Sequence, residues 1–171
     1  MINELSTLRF LEDGTNVLFI GPPGVGKTML AIGLARASID AGYRTYYTTA
    51  ADLAAKCHKA ALEGRWSAVM NNYAGPRLLI IDEVGYLPLA SEAAAALFQV
   101  ITTRYLRSST ILTTNLQVGS WGKIFDDPMV AAAMLDRLLH RSVVFSIEGE
   151  SYRMRSHRAR SERLVSKGDS I

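Results

Sequence analysis

An α/β fold on a parallel sheet is what this sequence predicts, and three observations predict it. Short apolar runs alternate with longer helical patterns along the 171 residues, the order that strand–helix–strand units produce. One run, Leu78 to Ile81, is apolar throughout, as a strand covered on both faces must be. The glycine-rich segment from Gly21 to Gly26 separates an apolar run from a helical pattern, which is where the ligand-binding turns of such sheets lie.

Taken in order, Asn16 to Ile20 is a short apolar strand. Lys27 to Ala41 has Leu30, Leu34 and Ala37 on one face and ends at Ala41-Gly42, so it reads as a helix. Arg44 to Thr49 is rich in Tyr and Thr, residues that favour strands. Ala50 to Tyr73 is helical and interrupted at Gly64; Gly75-Pro76 then breaks the chain before the strand at Leu78. Ser91 to Leu106 is a helix with Ser91 as its expected N-cap, and its alanine run suits a helix interior. Thr110 to Thr113 is a strand, Met129 to Arg141 a helix and Val143 to Ile147 a last strand. No internal repeat or proline-rich linker interrupts this order, and one domain over 1–171 is expected, with a core at about 8–164 and a basic tail end at 165–171.

Composition narrows the function. Hydrophobic residues make up 49% and charged residues 20%, a globular balance. A lone cysteine, Cys57, excludes an internal disulfide framework and a cysteine zinc cluster, and it reads as a packing residue. His58, His140 and His157 have no metal-ligand spacing, and no apolar run approaches the roughly 20 residues that span a bilayer. Met1 to Leu11 lacks the apolar stretch of a signal peptide, so a soluble cytoplasmic protein without membrane contact is expected. The net charge of +3 is concentrated: between Glu150 and Ile171 there are six basic and three acidic residues, leaving 13 of each in the first 149 positions. A basic tail suits contact with a phosphate backbone, and a solvated helix would look the same.

Gly21-Pro22-Pro23-Gly24-Val25-Gly26-Lys27-Thr28 matches the phosphate-loop pattern in full, after a strand and opening a helix. Glycines let successive N–H groups face one anion, and the helix N-terminus adds its positive end. Lys27 reaches the outer phosphates, and the Thr28 hydroxyl is suited to Mg²⁺. Asp82-Glu83 follows the fully apolar strand, so both carboxylates lie at the sheet edge where ligands bind. Asp82 is suited to the Mg²⁺ shell and Glu83 to activating water, which argues for ATP hydrolysis. A third strand ends in Thr113-Thr114-Asn115. Asn115 would reach between the acidic pair and the γ-phosphate if its strand is adjacent; otherwise it is a turn former.

With these residues in hand, the sequence resembles AAA+ ATPases of the initiator and helicase-loader type, and more closely the IstB family of transposition helper ATPases of bacterial insertion sequences. The resemblance runs from about Leu8 to Leu164. It rests on the phosphate loop, on Asp-Glu-Val-Gly-Tyr-Leu-Pro from Asp82, on Ile111 to Asn115, on Leu-Asp-Arg-Leu-Leu-His from Leu135, and on Ser151 to Arg153. It implies a three-layer P-loop NTPase fold, an AAA+ core with a central five-stranded parallel sheet and no separate helical lid. It implies that the nucleotide is held by Gly21 to Met29 and by Arg153 as second sensor, with Asn115 as first sensor. Arg137 matches the arginine finger that such proteins insert into a neighbour's site, although an arginine there would also suit a helix C-terminus. The segment from Ala50 to Tyr73 matches the extra helix that wedges initiator-type subunits into a spiral. Only about 15 residues precede the first strand, so the N-terminal segment usual in the family is expected to be missing.

The function so implied is an Mg²⁺-dependent ATPase whose site is shared between subunits. Lys27, Glu83 and Asn115 come from one copy and Arg137 from the next, in an ATP-dependent homo-oligomer. The expected partners are duplex DNA, bound without regard to sequence, and the transposase of the same insertion sequence. Lys56, Lys59 and Arg65 would help the tail on DNA. A helicase loader of the replication type and a small-molecule phosphotransferase are the alternative readings.

Overall fold

The computed structural model describes residues 2–86, 91–123, 125 and 127–155. The chain runs α1 (Ile2–Leu5), α2 (Arg9–Glu12), β1 (Asn16–Ile20), α3 (Lys27–Asp40), β2 (Thr45–Thr49), α4 (Ala50–Leu62) and α5 (Trp66–Ala74). It continues with β3 (Leu78–Val84), α6 (Ser91–Arg104), β4 (Ser109–Thr114), a 3-10 turn over Val118–Lys123, α7 (Pro128–His140) and β5 (Ser142–Ser146). The basic cluster beyond Arg155, the tail end at 165–171, His157, and Leu87 to Leu89 of the acidic motif lie outside the described residues.

All five strands join one sheet in the order β2-β3-β4-β1-β5, and every pairing is parallel. β4 therefore lies between β1 and β3, so its polar end separates the phosphate loop from the acidic pair. Alternate residues of the central strands enter opposite cores. Leu18 and Ile20, Leu79 and Ile81, and Leu112 pack with α4, α6 and α7. Val17 and Phe19, Leu78 and Ile80, and Ile111 pack with α2 and α3. The result is three layers, helix on sheet on helix, as expected.

Most sequence boundaries hold to within two residues. Thr49 caps α4 by accepting from the Asp52 N–H at 3.0 Å, and Asp127 caps α7 ahead of Pro128. Three points are informative. The last-strand expectation ended at Ile147, whereas β5 covers Ser142–Ser146. α6 begins at Ser91 itself, and the expectation that Ser91 caps it lies outside the described side chains. β3 runs on through Asp82 and Glu83 to Val84, because Asp82 still pairs with Thr49 of β2 and Val84 with Thr114 of β4, and the carboxylate of Asp82 is buried rather than turned to water.

Arg104, at the end of α6, is only 2% exposed. Its guanidinium donates to the carbonyls of Tyr73 (2.7 Å), Pro76 (2.9 Å) and Ser109 (2.6 Å) and to the Thr110 hydroxyl (3.0 Å). These partners are neutral, so burial, aided by Arg77, draws its pKa down to about 10. Arg104 ties the α5–β3 connection to the start of β4 at the sheet edge opposite the phosphate loop. Arg104→Met would strand several carbonyls, and a loss of about 3 kcal/mol in urea unfolding is expected, with a Tm lower by about 6–12 °C.

Candidate nucleotide site

The phosphate loop joins β1 to α3 by a path that side chains would obstruct. At Gly21 a Cβ would fall 2.2 Å from the Ile147 carbonyl oxygen. At Gly24, where φ is +84°, it would fall 2.1 Å from Ser151 Oγ. Both contacts come from the segment after β5, whose Tyr152 N–H donates to the Gly24 carbonyl at 3.0 Å. The loop is thus bracketed from behind by the chain that follows the sheet.

Lys27 opens α3 and is buried. Its Nζ donates to the carbonyls of Gly21 (2.7 Å) and Pro22 (2.8 Å). Burial lowers its pKa from the ordinary lysine value, Asp82 pulls it back up, and Arg153 adds to the lowering. A lysine whose folded pKa is lowered costs the fold stability at neutral pH, and the cost fades as pH rises through that lowered value. An anion in the loop would reverse this.

Asp82 is 2% exposed. Its Oδ1 accepts from the Thr113 hydroxyl and from the Thr28 hydroxyl at 3.2 Å, and its Oδ2 accepts from the Tyr47 hydroxyl at 2.7 Å. Burial first, and then Asp82, push the Tyr47 phenol far above its ordinary pKa. Thr113 Oγ1 also accepts from the Glu83 N–H at 3.0 Å. Glu83 has φ +62°, in the left-handed region that a residue with a Cβ adopts at a cost of about 1–2 kcal/mol. The β3–β4 register slips between Ile81 and Val84. This irregularity turns Glu83 out of the sheet and into the cleft, and Thr113 pins it.

That cleft, of about 340 Å³, is lined by Pro23 to Met29, Glu83, Tyr86, Tyr152 and Arg153. The structure therefore brings together the loop, Lys27, Thr28, Glu83 and Arg153, with Asp82 beneath. Asn115 follows the end of β4, one strand from Asp82, and its Oδ1 is buried with no hydrogen-bond partner among the described residues. Arg137 stands apart. It is half-buried on α7, bonded to the Ala133 carbonyl at 2.8 Å and 5.1 Å from the Phe98 ring centre. Sequence reasoning missed Tyr47, Tyr86 and Tyr152, and it passed over Thr113 for its neighbour Asn115. Thr113, Tyr86 and Tyr152 lie inside motif segments already singled out, but no rule of residue type marked them there, and Tyr47 lies in none of those segments.

Solved structures share this fold. The DnaC helicase loader superposes with a TM-score of 0.73 over 86% of each chain at 24% identity. AMPPCP-bound DnaA from Aquifex aeolicus superposes at 0.72, over 86% of this chain and 45% of that one, also at 24% identity. Likeness at that identity is one of fold, and the fold is that of a P-loop NTPase with an AAA+ core. The sequence places it more narrowly. The model of the IstB-like ATP binding protein family matches residues 1–160, and the chain belongs to that family. It is 48% identical over 162 residues to the ATP-binding protein of insertion sequence IS5376 from Geobacillus stearothermophilus, covering 95% of this chain and 64% of that one. It is 43% identical over 158 residues to that of insertion sequence IS21 from Pseudomonas aeruginosa, covering 92% and 60%. The chain thus spans about three fifths of the length of these curated relatives.

Thr113→Val keeps the shape and removes the hydroxyl, leaving Asp82 short of a donor and the Glu83 N–H unpaired. Urea unfolding at pH 7 is expected to show a loss of about 1–3 kcal/mol.

Proposed function

We propose that this chain binds ATP with Mg²⁺ in the cleft, hydrolyses it at an interface between copies, and through its nucleotide state governs assembly on duplex DNA and the action of a transposase. The observation that carries the reading is the Asp82 carboxylate held beside the Thr28 hydroxyl under the loop, with Glu83 turned into the same cleft.

The donor set fits Mg²⁺. Thr28 and Asp82 supply hard oxygens, and three hydroxyl donors leave Asp82 about one of its four acceptor positions free. Among the described residues no group of three or more His, Cys, Asp or Glu could hold a metal. This agrees with an ion held by one carboxylate, one hydroxyl, waters and the nucleotide. Bound there, Mg²⁺ would neutralise charge on the phosphate oxygens.

The chain's own groups divide the remaining work. Loop amides from Gly24 to Met29 hold the phosphates, and Lys27 leaves its two carbonyls for the outer phosphate oxygens. Glu83 accepts a proton from the attacking water, and the unpartnered Asn115 Oδ1 orients it. Arg153, on the cleft wall, meets the phosphates from the far side. Arg137 lies outside its own cleft, which supports its reading as a finger offered to a neighbouring copy, where it would stabilise developing charge.

For DNA, Lys56, Lys59 and Arg65 line a groove beside α4 and α5, where Glu63 pairs with Lys59 and Arg65 at 3.7 Å each, and Arg155 lies two residues beyond Arg153. Contacts this few give weak, salt-sensitive binding per copy, made effective by multivalency. The helicase-loader reading shares the fold; relatives from insertion sequences favour the transposition reading. Among the described residues no helix is long and apolar enough to cross a membrane.

The test is ATP turnover per copy against protein concentration, with and without long duplex DNA. Turnover should rise with both, and Arg137→Ala should lower it about 10³–10⁵-fold without impairing ATP binding. Constant turnover per copy, matched by the variant, would refute the shared site. Lys56→Ala and Lys59→Ala should each weaken DNA binding and reduce the slope of its salt dependence by about 1.

A further inference from the structure

Asp82 sits on β3 between two neighbours, β2 and β4, and each sends one hydroxyl to its carboxylate. Thr113 of β4 donates to Oδ1, and Tyr47 of β2 donates to Oδ2 at 2.7 Å. The terminal torsion of an aspartate is soft, with a broad, roughly two-fold profile. Donors on opposite flanks remove that softness, because rotation about the Cβ–Cγ bond breaks one bond or the other. The carboxylate plane is stretched between the strands, and Oδ1 is left facing Thr28 at 3.2 Å.

We infer that Tyr47 is the positioning residue of the metal site: its hydroxyl fixes the Asp82 carboxylate in the orientation that faces Thr28 and, together with Thr28, Mg²⁺. The inference rests on the Mg²⁺-ATP reading above. Tyr47 does not line the cleft, and its hydroxyl reaches the site through its hydrogen bond to Asp82. Tyr47 is 43% exposed, on an edge strand. The hydroxyl can therefore be deleted with little disturbance of packing. The next residue supplies a matched control: the Tyr46 hydroxyl accepts from Lys56 at 3.3 Å, away from Asp82. Groups that hold a metal's ligands in place are worth about 10–100-fold in metal affinity.

The experiment measures binding of a non-hydrolysable ATP analogue by fluorescence anisotropy while Mg²⁺ is titrated, in wild type, Tyr47→Phe and Tyr46→Phe. A parallel titration is made in EDTA, and the Tm of each protein is recorded. Tyr47→Phe is expected to bind the analogue in EDTA within about two-fold of wild type. Its Mg²⁺ midpoint should rise about 10-fold, with the midpoint of Tyr46→Phe unmoved. Equal midpoints for Tyr47→Phe and wild type would overturn the role of Tyr47 and leave the Mg²⁺-ATP reading intact. Equal loss of binding with and without Mg²⁺ would overturn it in favour of a structural role. A wild-type protein indifferent to Mg²⁺ would overturn both readings together.

Discussion

A carboxylate shut away from water has to be met by hydrogen bonds, and that requirement at Asp82 organises the top of this sheet. The three hydroxyls that meet it come from α3, β2 and β4, elements separated widely in sequence. They converge only if β3 lies between β2 and β4 and α3 starts directly above. The parallel order of the strands, the bulge before Val84 and the left-handed turn at Glu83 all serve that convergence. Glu83 carries a strained backbone because Thr113 is already committed to its neighbour and accepts the Glu83 N–H with its remaining oxygen capacity.

The architecture was largely legible because its signals are local. Apolar runs bounded by breakers gave five strands, and Gly64 parted α4 from α5 where expected. What escaped has no period to read. α1 and α2 are four residues each, too short for a helical pattern. The 3-10 turn is held by Trp121, wholly buried with its indole N–H donated to the Leu116 carbonyl; a lone tryptophan in a polar stretch does not announce such a turn. Arg104 was invisible for another reason. A cation in the last turn of a helix ordinarily complements the helix end in water, and nothing nearby in sequence says that this one faces carbonyls.

The site divides along the same line. The phosphate loop and acidic pair could be read because phosphate chemistry dictates each residue type at a fixed spacing. Tyr47 and Thr113 could not, because Tyr and Thr are ordinary strand formers and their partner lies more than thirty positions away. Arg137 was legible only through a family resemblance, because an arginine in the last turn of a helix is ordinary there.

The bracket behind the phosphate loop also says how freely this protein can drift in sequence. The tether from position 152 to Gly24 uses a main-chain N–H, so any residue except proline can supply it, and the tyrosine there is under no obligation from this bond. Position 151 is bound more tightly. Its side chain lies against the Gly24 backbone, at the spot a methyl group would occupy, which admits only a small residue. Two adjacent positions on one short segment thus meet the loop in different ways, one through the volume of its side chain and the other through its main chain.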